Sequence, residues 1–169
     1  FIDSNFSNGL LDISHARIKG KSSKEIYFGS YVCHPSMLNN ELSGPLVLSG
    51  LIDYIKKNYP NPRMTYRFVL FPETIGSIAY LSRYGEIMKK NMMCGFHLSC
   101  VGDERAYSYV KTPYGNTLAD KILDNILNSK KNFKSYSFLE RGSDERQFCS
   151  PGFRLPVCTF CRSKFGKYP

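Results

Sequence analysis

Two kinds of apolar spacing alternate along this chain, and their order constrains the fold more than any other feature of the sequence. Residues 25–33, 64–71 and 93–101 are short runs rich in aromatic and other apolar side chains, which is typical of buried strands. Residues 43–59 and 77–90 instead repeat apolar side chains at helical spacing. Because short connections join strand, helix and strand in turn, we predict a three-layer α/β/α fold. Its central, mostly parallel (mixed) sheet should have about six strands.

The later part of the chain continues the same order. Short strands are predicted at residues 107–111, 133–139 and 155–161, where β-branched and aromatic residues are frequent. Asn116 follows a Thr-Pro-Tyr-Gly turn and is predicted to cap a third helix that runs through residue 129. These elements complete the sheet and its helical layers.

The composition indicates one folded domain over residues 1–169. Hydrophobic residues make up 42% of the chain and charged residues 22%, which excludes a disordered segment. Every apolar run is far shorter than the roughly 18 residues that a membrane span needs, so no membrane partner is expected. Because the sequence begins at Phe1 without an initiator Met or the features of a signal peptide, we expect it to be a piece of a longer chain.

The chain is basic, with 23 Lys and Arg against 14 Asp and Glu, and its formal net charge is +9. A basic face could bind nucleic acid. The local clusters, however, fall mostly at predicted helix ends or in loops, where a Lys near a helix C-terminus is stabilised by the helix dipole. We therefore expect no nucleic-acid partner, and the oligomeric state is left open.

The six cysteines lie mostly inside apolar, strand-like runs. This placement favours buried, reduced thiols in a cytoplasmic protein over a disulfide framework. Cys158 and Cys161 have the CxxC spacing of a zinc knuckle, but the alternating pattern of residues 155–161 and the lack of a second pair favour a strand.

Polar side chains follow the predicted strands at the points where functional loops gather in α/β sheets. His34 could be a structural histidine or a metal ligand. Glu73 could be a carboxylate favoured by a helix N-terminus, a metal ligand or a general base. Asp144 and Arg146, before the last strand, could form a salt bridge or could bind the α-amine and a carboxylate of a substrate.

Four motifs occur in a family's order: His-Pro-Ser-Met-Leu-Asn-Asn-Glu-Leu-Ser-Gly-Pro at residues 34–45, Pro-Glu-Thr-Ile-Gly-Ser at 72–77, Gly-Ser-Asp-Glu-Arg-Gln-Phe at 142–148 and Arg-Ser-Lys-Phe-Gly-Lys-Tyr-Pro at 162–169. Together they resemble the aminopeptidase-like domain of bacterial proteins labelled as polysaccharide-biosynthesis proteins. These proteins are distantly similar to zinc-dependent aminopeptidases. The resemblance covers the chain from about Ile2 to Pro169.

The resemblance implies a metal centre and gives its residues. His34 matches the first zinc ligand, and Glu73 is what remains of a Glu-Glu pair that supplies a general base and a ligand. The bridging Asp of the aminopeptidases falls on Asn40, and an amide bridges two cations poorly. The neighbouring Glu41 is an alternative carboxylate, although it faces differently from the start of the helix. A further Asp ligand falls on Ser99.

One zinc ion is therefore expected rather than two, and the last His ligand is expected just after Pro169. His34 and Glu73 alone would hold zinc weakly. The resemblance implies metal-assisted hydrolysis of an N-terminal peptide or related amide bond, with Asn40 orienting a metal-bound water. Two alternatives stay open: acyl transfer or cyclisation on the same fold, and a non-catalytic binding domain that has lost the metal.

Overall fold

The computed structural model describes residues 1–164, and its centre is one mixed sheet of seven strands. In chain order the strands are β1 (Ser14–Ile18), β2 (Glu25–Tyr31), β3 (Thr65–Phe71), β4 (Met92–Leu98), β5 (Tyr107–Val110), β6 (Phe133–Tyr136) and β7 (Val157–Cys161). Their order across the sheet is β1-β3-β2-β4-β7-β5-β6. β3, β2, β4 and β7 are parallel to one another, whereas β1 and the β5–β6 pair run against them. The predicted mixed α/β sheet is confirmed.

Helices cover both faces of this sheet. They are a π-helical turn (Leu38–Leu42), α1 (Ser43–Asn58), α2 (Ile75–Asn91), α3 (Leu118–Leu127), a 3-10 turn (Phe138–Glu140) and α4 (Glu145–Phe148). α1 and α3 pack on one face through Leu48, Ile55 and Leu123, while Tyr80 and Met88 of α2 lie in the core on the other. Each face thus buries its own apolar cluster, as a three-layer fold requires. Within residues 1–164, no helix is both long and apolar enough to cross a membrane.

The structure differs from the sequence prediction at several elements. The strand predicted at residues 133–139 ends at Tyr136 and is followed by the 3-10 turn Phe138–Glu140. The edge strand β1 (Ser14–Ile18) was not predicted, because four of its five residues are exposed and its pattern is not that of a buried strand. The third helix is capped by Thr117 rather than Asn116: the Thr117 hydroxyl and the Asp120 carboxylate form a reciprocal capping box. A threonine followed three residues later by an acidic side chain satisfies two free N–H groups instead of one.

The strand interpretation of the last cysteines is confirmed. Cys158 and Cys161 lie within β7 (Val157–Cys161), and both are fully buried. All six cysteines are free thiols, and Cys33 alone among them is exposed.

Candidate active site

The predicted site residues His34 and Glu73 meet at one edge of the sheet. β2 and β3 are parallel neighbours, so the loops after Tyr31 and Phe71 leave the sheet on the same side. His34 follows β2 and Glu73 follows β3, and the His34 Nε2 atom lies 3.6 Å from Glu73 Oε2. The parallel topology thus brings together two side chains that are 39 positions apart in sequence.

Glu41 fixes the orientation of the His34 ring. Its buried carboxylate, in the π-helical turn Leu38–Leu42, accepts a 2.5 Å hydrogen bond from His34 Nδ1 and a second bond from the backbone N–H of Cys33. Because an ionised carboxylate only accepts, the proton of the neutral ring lies on Nδ1 and the lone pair on Nε2, toward Glu73. The bond to Glu41 also raises the pKa of His34. Such a carboxylate–histidine pair is the usual support of a metal-binding imidazole.

Glu73 is held by a hydroxyl and by an unusual turn. Ser143 Oγ donates a 2.7 Å hydrogen bond to Glu73 Oε1, and burial raises the pKa of the Glu73 carboxyl. The next residue, Thr74, has φ 65° and ψ −65°, and the N–H of Ile75 bonds to the Glu73 carbonyl at 2.7 Å. This γ-turn geometry is rare and strained for a β-branched residue. The turn directs Glu73 into the site at the start of α2.

Asp144 stabilises this turn from inside the protein. It is fully buried, and its Oδ1 atom accepts bonds from the Thr74 N–H at 2.8 Å and from Ser77 Oγ at 2.5 Å. Its Oδ2 atom lies 3.7 Å from Nε2 of the buried His97. Burial raises the pKa of Asp144 and lowers the pKa of His97 to about 4, so the His97 ring is neutral at physiological pH.

The predicted substrate contacts of Asp144 and Arg146 differ in accessibility. Arg146 is exposed, and its charge offsets part of the rise that burial causes in the pKa of both Glu73 and Asp144, which places a cation beside the site. Asp144, in contrast, has no exposed surface, and a substrate amine could reach it only if the loops moved. Binding of an amine by Asp144 and of a carboxylate by Arg146 therefore remains a prediction.

Asn40 joins the site through a chain of neutral hydrogen bonds. Its Nδ2 atom donates to the Tyr31 hydroxyl at 2.8 Å, and that hydroxyl shares a 2.5 Å bond with Ser99 Oγ. The Asn40 Oδ1 atom is buried and has no hydrogen-bond partner among residues 1–164. A buried carbonyl oxygen without a partner is an available acceptor for a water or an ion.

The donors at this edge fit a zinc ion. A ring nitrogen of His34, a carboxylate oxygen of Glu73 and the Cys33 sulfur all lie within 4.8 Å of one another. Zinc takes nitrogen, oxygen and sulfur donors in a tetrahedral arrangement. Cys33 was missed from the sequence as a donor, although its position directly before His34 at a strand end is a signal that could have indicated it.

An open depression gives access to these donors. It measures about 490 Å³ and is lined by the loop after β2, including Cys33, His34 and Glu41. Ser36, in the loop that lines it, has a positive φ, as do Thr74 and Cys100 in the loops after β3 and β4. Strained residues of this kind persist where the surrounding structure fixes a particular loop shape, often at functional sites.

Comparison with known proteins gives the family. A family profile described as "Domain of unknown function (DUF4910)" matches residues 4–169. This chain is a DUF4910 domain. A Clostridium acetobutylicum protein named for polysaccharide biosynthesis and for an aminopeptidase-like domain is 39% identical to it over 166 residues. That match covers 98% of the DUF4910 chain but 38% of the relative, so the chain spans well under half of its length.

Solved structures confirm the aminopeptidase-like fold of the DUF4910 domain. A C. acetobutylicum crystal structure named as that of a peptidase superposes with a TM-score of 0.86 at 37% identity, over 91% of this chain and 36% of that one. A zinc aminopeptidase from Bacillus subtilis superposes with a TM-score of 0.67 at 18% identity, over 93% of this chain and 41% of that one.

The fourth sequence motif falls partly on residues 165–169, outside the described residues.

Proposed function

We propose that this domain is the catalytic part of a zinc-dependent aminopeptidase-like hydrolase that cleaves an N-terminal peptide or related amide bond. The observation that carries the proposal is the His34–Glu73 pair, 3.6 Å apart at the carboxyl ends of two parallel strands, beside an open depression. The fold shared with a zinc aminopeptidase supports it. His34, Glu73 and the Asn40 carbonyl oxygen would hold the ion or its water.

The chain's own residues would divide the chemistry as follows. A bound zinc ion lowers the pKa of a coordinated water toward neutrality and polarises a carbonyl. Glu73 would take the proton of the attacking water or bind the ion, and its raised pKa suits a base that works near neutral pH. Ser143 holds one Glu73 oxygen, which leaves the other facing His34. Arg146 would attract an anionic group of the substrate.

A pair of matched variants tests this function in the full-length protein. With zinc and an aminoacyl-anilide substrate, Glu73→Gln should lower kcat by about 10²-fold or more, because general bases contribute roughly that factor. Glu86→Gln is the control, since Glu86 lies on the exposed face of α2 and its side chain is 82% exposed. A Glu73→Gln enzyme as active as the wild type would contradict the proposal.

A non-catalytic binding domain is the second candidate, and the neutral Asn40–Tyr31–Ser99 chain favours it. Two positions that carry Asp ligands in the implied aminopeptidase pattern are Asn40 and Ser99 here, and they bond to Tyr31. A wild-type protein that is inactive with zinc but binds peptides would support this candidate.

Cyclisation or acyl transfer on the same site is separated from hydrolysis by product mass. Hydrolysis of a peptide gives two pieces whose masses sum to the peptide plus one water. Cyclisation of the N-terminal residue leaves the chain uncut and lowers its mass by that of the leaving group. Mass spectrometry of the product therefore decides between the two chemistries.

A further inference from the structure

Cys33 differs from the other cysteines of this chain in its surroundings. Five of the six thiols are buried in the core, whereas Cys33 is exposed and lies in the wall of the depression at the candidate site. Its sulfur is 3.4 Å from His34 Nδ1 and 3.3 Å from the backbone nitrogen of Glu73. The thiol therefore lies between the two residues to which the proposed function assigns the metal.

Adjacent side chains of a strand point to opposite faces, but Cys33 and His34 lie beyond the end of β2 at Tyr31. There the chain turns toward the π-helical turn Leu38–Leu42, and Glu41 holds both the Cys33 N–H and the His34 ring. This arrangement turns the two side chains to one side. Glu41 thus holds in place the backbone of the sulfur donor Cys33 and the ring of the nitrogen donor His34.

The three donors are close to the spacing of a real zinc shell. Zn–N, Zn–O and Zn–S bonds of about 2.0–2.3 Å place tetrahedral donors roughly 3.3–3.8 Å apart. The Cys33, His34 and Glu73 donor atoms are all within 4.8 Å of one another, so side-chain adjustments of about 1 Å would close the shell.

We propose that the Cys33 thiolate is a third protein ligand of the metal, beside His34 and Glu73. This rests on the proposed function, because it concerns the same metal centre. It supplies the negative charge that Asn40 and Ser99 lack, and three ligands with one open position match the pattern of a catalytic zinc site. A sulfur donor also makes the centre selective for zinc, cobalt or cadmium over magnesium or calcium.

Cobalt(II) is the probe, because it reports metal binding and sulfur coordination in separate absorption bands. The metal-free full-length protein is titrated with CoCl₂ and followed by visible and near-ultraviolet absorption. The wild type should develop both the visible d–d bands of bound cobalt and a thiolate-to-cobalt charge-transfer band. Cys33→Ser should lose the charge-transfer band, keep d–d bands and bind cobalt more than about tenfold more weakly.

Cys94→Ala is the control, since Cys94 lies toward the amino end of β4, whereas the site is at its carboxyl end, and this variant should retain both bands. If the wild type shows d–d bands without a charge-transfer band, or if Cys33→Ser keeps that band, Cys33 is not a ligand and the hydrolase proposal stands. If the wild type binds no cobalt at all, both the thiolate ligand and the zinc-dependent function are overturned.

Discussion

At the scale of single residues, Glu41 determines how the site presents His34. Its carboxylate accepts a 2.5 Å hydrogen bond from His34 Nδ1, and it is buried within the π-helical turn Leu38–Leu42. From the sequence alone, Glu41 is only an alternative carboxylate beside Asn40. The tertiary structure adds its role as a support for His34, since the π-helical turn brings the Glu41 carboxylate to the His34 ring. Local periodicity does not encode the direction of a side chain in a loop.

Glu41→Gln should weaken zinc binding about 10–100-fold, because supporting partners of a metal-bound histidine typically contribute that much. Calorimetric titration with zinc measures the change, and Glu104→Gln, in an exposed loop, serves as the control. In the metal-free protein the same variant should lower the pKa of His34, since the bond to Glu41 is the main cause of its elevation. An unchanged zinc affinity would show that Glu41 does not support the ligand.

At the scale of elements, the start of α2 depends on a contact from a distant loop. Thr74 keeps its strained backbone because Asp144, 70 residues away in the sequence, accepts its N–H and the Ser77 hydroxyl. Asp144→Ala would leave the Thr74 N–H without its acceptor, whereas Ser77 Oγ could still donate to the Thr74 carbonyl at 3.0 Å. We therefore expect the free energy of unfolding to fall by about 1–3 kcal/mol. Chemical denaturation measures this, and a loss near zero would argue against the role of Asp144 in holding the turn.

Asp144→Asn separates the shape of this side chain from its charge. Because burial raises the pKa of Asp144 in the folded protein, the carboxyl stabilises the fold most at low pH. That contribution is lost as pH rises through the folded-state pKa. Asparagine mimics the protonated acid, so the variant should be at least as stable as the wild type at pH 7. Its free energy of unfolding should also fall less than that of the wild type between acid and neutral pH. A variant much less stable than the wild type at pH 7 would contradict this.

At the scale of the whole molecule, a buried ion pair ties three strands and a helix together. The Arg67 guanidinium bonds both oxygens of Glu25 at 2.7 and 2.9 Å and the Tyr80 hydroxyl at 2.8 Å, and Arg17 of β1 reaches the same carboxylate. Arg67 and Glu25 are almost completely buried.

Removing one partner of this pair should cost far more than removing a surface charge. Glu25→Gln leaves the Arg67 charge buried without its counter-ion, and we expect a loss of about 3–5 kcal/mol in unfolding free energy. Glu86→Gln, on the surface, should change stability by less than about 0.5 kcal/mol. Urea denaturation of the two variants makes the comparison, and equal effects would exclude a structural role for the buried pair.

The sequence by itself determined the α/β class, the parallel strands β2, β3 and β4, and the convergence of His34 and Glu73. These follow from side-chain periodicity and from the rule that parallel strands end at the same edge. Only the tertiary structure decided that Cys33 and Glu41 flank His34, that Asp144 lies inside the protein and that β1 forms one edge of the sheet. Those features depend on contacts between residues far apart in the chain, such as Thr74 with Asp144. Local spacing carries no information about the direction in which such side chains point.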